Sequence, residues 1–99
     1  MLTINKSFAD TELTVALEGR LDTTTAPELE QSLQESISDV SELVMDFEKL
    51  EYISSAGLRV LLSAQKIMNR QGSMRVIHIN PEIMKILNMT GIANLLTIE

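Results

Sequence analysis

The stretch Tyr52-Ile53-Ser54-Ser55-Ala56-Gly57-Leu58 joins two patterns of different period. Before it, Leu43-Val44-Met45 with Phe47 close behind is an apolar run of strand length, suited to burial on both faces of a parallel sheet. After it, Leu58, Leu61, Leu62 and Met68 recur at helical spacing. Two hydroxyls therefore sit where a strand or its loop hands over to a helix. The first turn of a helix has unpaired backbone N–H groups and the positive end of the peptide dipole. Such a place accepts an added negative group. This reading makes Ser55 a phosphorylation switch on a small protein-binding domain, with Ser54 as second choice. The plain alternative is a double serine that only caps a helix.

A helical wheel sharpens the choice between the two serines. With Ser55 at zero and 100° per residue, Arg59, Ser63, Lys66 and Arg70 fall at about 40°, 80°, 20° and 60°. The apolar residues Leu58, Val60, Leu61, Ala64, Ile67 and Met68 fall between about 120° and 300°. Ser55 thus belongs to the polar stripe, one turn ahead of Arg59, and Ser54 is the better N-cap. Ala56 and Gly57 are small enough to let another surface approach the backbone.

Working outward, Leu2–Ser7 and Leu13–Glu18 alternate in character and predict an antiparallel hairpin, with Phe8–Glu12 as its turn and Gly19 ending the second strand. Asp22-Thr23-Thr24 forms a polar loop. Thr25 and Glu28 have capping-box spacing and Pro27 suits a first turn, which predicts a helix over 26–37. A strand is predicted over 42–47, a connection over 48–52, and a helix over 55–70 stopped by Gly72. Residues 74–79 read as a strand and Asn80-Pro81 as a helix start, with Gly91 ending that helix. A last helical turn within 92–96 and a short strand at 97–98 close the chain. The order predicts an α/β fold over residues 1–99, a mixed, mostly parallel sheet with an N-terminal antiparallel strand and crossover helices.

Composition bounds the function. The chain of 99 residues has no Cys and a single His, and 44% of its residues are hydrophobic. No thiolate chemistry and no cysteine metal site is available, and no carboxylates stand at ligand spacing, so neither metal nor cofactor is expected. The formal charge of −6 argues against nucleic acid as a partner. No apolar run is long enough to span a membrane and no leader pattern opens the chain, so a cytoplasmic protein is expected. The charge is uneven: residues 1–53 hold twelve acids and three bases, while residues 54–80 hold no acid and four bases. Catalysis by a serine needs an oriented base. His78 alone, on an expected strand and with no nucleophile elbow about the serines, does not supply it, so no enzyme is expected.

Three stretches, taken together, resemble the bacterial anti-sigma factor antagonists of the STAS domain family. Gly19-Arg20-Leu21-Asp22 with Thr25-Ala26 is similar to the family's loop before its first helix. Tyr52–Leu58 is similar to its phosphorylation motif, and Asn88-Met89-Thr90-Gly91-Ile92 to its closing segment. The resemblance implies a STAS fold and a partner switch. The unphosphorylated protein would bind an anti-sigma factor that is also a serine kinase, with ATP held by that partner. Phosphorylation of Ser55 would release it, and a serine phosphatase would reset it. The expected docking residues are Asp22, Thr23, Thr24, Ser54, Ser55, Ala56, Arg59 and Met89. Ser54 stands where the motif has Asp, and Arg59 where many relatives carry a small residue. Another STAS role, a docking subunit of a larger signalling or lipid-transport assembly, would use the same face without the switch.

Overall fold

The computed structural model describes residues 1–99. Strands β1 (Leu2–Ala9) and β2 (Glu12–Leu21) form the antiparallel hairpin, turned by Asp10 and Thr11 alone. Asp10 takes the left-handed conformation (φ 56°), which a short polar side chain tolerates. The turn is thus tighter than the five residues expected, and Phe8 is an exposed strand residue. β2 also runs past Gly19 instead of ending there. Gly19 has φ 105° and sits at a register shift against the neighbouring strand, where a left-handed residue lets the strand bend and continue.

Helix α1 (Ala26–Ser36), strand β3 (Glu42–Ile53), helix α2 (Ser55–Gln71), strand β4 (Ser73–Ile77), helix α3 (Pro81–Met89) and a 3₁₀ turn (Ile92–Asn94) complete the chain. The strand order is β1-β2-β3-β4, with β3 parallel to both β2 and β4. Both parallel crossovers step in the same direction, and crossovers are right-handed, so α1 and α2 must share one face. They do, packed side by side. That face holds one core of Leu13, Val15 and Leu17 from β2, Leu43, Met45 and Phe47 from β3, and Leu29, Leu33, Leu61 and Met68 from the helices. Thr14, Asp46 and Arg75 alternate to the other, uncovered face.

β3 is twice the predicted length. Glu48–Tyr52, expected as a connection, is strand, paired through Glu18↔Lys49, Gly19↔Leu50 and Arg20↔Tyr52. Its charged residues are exposed because β4 stops at Ile77 and pairs with β3 only as far as Asp46. Residues 78 and 79 are not strand. His78 turns the chain at φ 58°, and its Nδ1 lies 2.9 Å from Asp46 Oδ1. The expected final strand is a single parallel bridge, Ile98 to Val76.

Candidate functional site

Two segments meet at the carboxyl ends of β2 and β3. Leu21 pairs with Ile53, and the Ser54 N–H then donates to Leu21 O at 2.9 Å. This bond locks the β2–α1 loop to the start of α2, so residues thirty positions apart share one surface.

The loop is held by its aspartate. Asp22 Oδ1 accepts from the Thr24 hydroxyl at 2.7 Å, the Thr24 N–H at 3.0 Å and the Thr25 N–H at 3.1 Å. The Thr24 hydroxyl bond is the main reason its carboxyl titrates below the usual range, with the backbone donors adding to it against partial burial. The expected capping box does not form. Thr25 is the N-cap by position, but its hydroxyl accepts from the Asp22 N–H and donates to Arg20 O, both at 2.8 Å. The buried Thr25 therefore braces the loop rather than the helix. Thr23 and Thr24 are exposed.

α2 starts as its sequence dictates. Ser54 is the N-cap, and its Oγ accepts from the Gly57 N–H at 3.5 Å, the outer limit of such a bond. Ser55 is the first helical residue and is exposed. No acid occupies the first turn. Ala56 is half-buried and Arg59 exposed. Gly57 is buried: a Cβ there would stand 2.7 Å from Leu21 Cγ and 2.9 Å from Ile53 Cγ1. The close approach that this glycine permits is to the protein's own core, so of the two small residues only Ala56 faces outward. Thr23, Ala56 and Arg59 line a common depression of about 210 Å³ with Ala26, Pro27 and Glu30 of α1.

Met89 is 76% exposed, at the far end of α3. The main packing partners of α3 are β3 and the 3₁₀ turn, not α1 or α2. The other seven expected docking residues cluster around the Leu21–Ser54 bond. Two further residues belong with them. Arg20 stacks its guanidinium 4.3 Å from the centroid of Tyr52, and its Nε lies 3.9 Å from Asp22 Oδ2. Tyr and Arg dominate binding energy at protein interfaces, and stacking keeps both ordered before a partner arrives. Both side chains were present in the quoted motifs, but only the β2–β3 register brings them together.

His78 and Asp46 form a second polar pair, at the edge where β4 ends. The hydrogen bond to Asp46 raises the His78 pKa above its usual 6.5. Burial pushes the Asp46 carboxyl upward, but hydrogen bonds from the Glu48 N–H and from His78 leave it below its usual value. The hydrogen-bond partner of this histidine is a carboxylate.

A four-stranded mixed sheet with its helices on one face, and a serine-headed helix beside an aspartate loop, defines a class. The chain belongs to the STAS domain family, whose family model matches residues 3–99. Within that family its relatives are anti-sigma factor antagonists. It is 30% identical over 89 residues to the anti-sigma F factor antagonist of Paenibacillus polymyxa, covering 87% of this chain and 76% of that one. It is 33% identical over 92 residues to BtrV of Bordetella bronchiseptica, which carries an anti-sigma factor antagonist name, covering 91% and 78%. Among solved structures, an anti-sigma factor antagonist from Mycobacterium paratuberculosis superposes with TM-score 0.90 at 24% identity, over 99% of this chain and 85% of that one. The Bacillus cell fate determinant SpoIIAA in its phosphorylated form superposes with TM-score 0.77 at 16% identity, over 98% and 91%. No helix is long and apolar enough to cross a membrane.

Proposed function

We propose that this protein is an anti-sigma factor antagonist that works by partner switching. Unphosphorylated, it docks on an anti-sigma factor that is also a serine kinase, through the β2–α1 loop and the start of α2. That kinase holds ATP and transfers its terminal phosphoryl group to the Ser55 hydroxyl; the hydroxyl proton leaves and ADP is released. A phosphatase returns the serine by hydrolysis.

The observation that carries the reading is the exposure of Ser55 at a helix start without acids, with Ser54 rather than Ser55 supplying the cap. The names of the two sequence relatives support it. A phosphoserine adds about −1.5 to −2 charges. At a helix N-terminus, one turn from Arg59, that charge leaves the fold intact and changes what the surface binds. A partner presenting acids there is repelled, and every ~1.4 kcal/mol of repulsion is tenfold in affinity. Ser54 is the poorer acceptor, since its hydroxyl faces the Gly57 N–H as the helix cap and is only half-exposed.

The test is phosphopeptide mapping after incubation with a candidate anti-sigma kinase and ATP. Label is expected on Ser55 and absent in Ser55→Ala, and Ser55→Asp should lose kinase binding by tenfold or more, about 1.4 kcal/mol. Unlabelled wild-type protein, together with full binding by Ser55→Asp, would remove the switch.

A further inference from the structure

The depression beside Ser55 does not end at Arg59. It shares Glu30 and Val60 with a second one, of about 140 Å³, that continues between α1 and α2. The floor of this continuation is apolar: Leu33, Ile37, Val60, Ala64 and Ile67, with Ile67 38% exposed. From Ala56 to Ile67 the groove follows α2 for about 17 Å, the length of three helical turns.

Its α2 rim is basic. Arg59 lines the first depression together with Glu30 of α1, and Lys66 and Arg70 are exposed farther along the stripe headed by Ser55, which meets the groove at Ser63. The ion pairs of the molecule involve Arg20, Arg75 and His78, so these three cations carry no internal partner. They form a row of unneutralised positive charge on a chain whose formal charge is −6.

We infer that the α1–α2 groove receives an amphipathic helix of the docking partner, with its apolar side on Val60, Ala64 and Ile67 and an acidic flank along Arg59, Lys66 and Arg70. The identity of that partner rests on the switch reading; the chemistry of the occupant does not. Helices seat in such grooves through apolar anchors about a turn apart, and a row of cations selects the charge of the flank. The same geometry gives phosphorylation a physical target. A phosphate on Ser55 stands at the head of the row that the acidic flank needs, so it competes for the cations and repels the flank.

The test uses a synthetic peptide of about four helical turns. It carries leucines at i, i+3 and i+7 and glutamates along one flank, and is titrated into ¹⁵N-labelled full-length protein. Amide shifts are expected at Val60, Ser63, Ala64 and Ile67, with binding that weakens as salt rises. A peptide with lysines in place of the glutamates should bind at least tenfold more weakly. Ile67→Glu, and separately the surface pair Lys66→Glu with Arg70→Glu, should each weaken the glutamate peptide at least tenfold. Shifts confined to residues outside the α1–α2 groove, equal binding of the lysine peptide, or indifference to both variants overturns the proposal. So does self-association of the protein through these same residues. Running the titration on Ser55→Ala separates the two readings: the groove should still bind there, even if Ser55 is never phosphorylated.

Discussion

Two helices of this protein begin in similar ways and end up with different characters. α2 starts Ser54-Ser55-Ala56-Gly57, and α3 starts Asn80-Pro81-Glu82-Ile83. At α3 the cap is tight. Asn80 Oδ1 accepts from the Ile83 N–H at 2.9 Å, and its Nδ2 donates to Leu50 O at 3.0 Å. Pro81 removes one unpaired donor, Glu82 answers the dipole, and Ile83 is fully buried. At α2 the cap bond is 3.5 Å, no acid is in the first turn, and bare backbone at Gly57 replaces the buried side chain. α1 resembles α3 in having a proline and an acid at its start. Of the three, only α2 has neither a proline nor an acid in its first turn. The caps differ as well: α3 has a tight side-chain cap, α2 a long one, and α1 none.

The largest effect should come from filling the bare backbone. Gly57→Val puts carbon within 3 Å of Leu21 and Ile53. A loss of about 2 kcal/mol is expected from overpacking, read as a lower urea midpoint with unchanged slope. Next comes the contrast between caps. Asn80→Ala should cost about 1 kcal/mol or slightly more, and Ser54→Ala a few tenths, since the second bond is already long. Equal losses would erase the difference between the two helix starts. Smaller still, and of opposite sign, Ser55→Asp should stabilise the free protein by about 0.3–1 kcal/mol while weakening docking. A destabilised Ser55→Asp protein would mean that the end of α2 is not receptive.

What the sequence makes legible divides along the same line. Periodicity finds all three helices, because each buries a stripe on the sheet, and it puts Ser55 on the exposed stripe. Near-neighbour chemistry is legible too: Asn80 and Ser54 cap as their types require. Where local pattern competes with pairing, the pattern loses. Glu48–Tyr52 looks like a connection, yet β2 pairs with Lys49, Leu50 and Tyr52 of it. Thr25 has the spacing of a capping box, but its hydroxyl is taken by Arg20 O and the Asp22 N–H. The Arg20–Tyr52 stack cannot be read from the chain at all, since it follows from a register that includes two irregular steps.

The smallest predicted effects set the two loops at opposite ends of the pH scale. The Asp22 pKa is lowered in the folded protein. Its contribution is present above the unfolded value and is lost as pH falls through the lower folded one. The His78 pKa is raised. Its pairing with Asp46 is fully stabilising below pH 6.5, and that stability is lost as pH rises through the folded value. Urea midpoints measured across both ranges should slope in opposite directions. His78→Gln should flatten the upper slope and, by releasing Asp46, part of the lower one, whereas Asp22→Asn should flatten the lower slope only.

The strand order β1-β2-β3-β4 has a consequence for how the molecule is made. Each strand after β1 leaves the ribosome with a sheet neighbour already synthesised, so none of these later strands waits for a partner still to be made. Emerging segments that pair with chain already made spend less time open to aggregation.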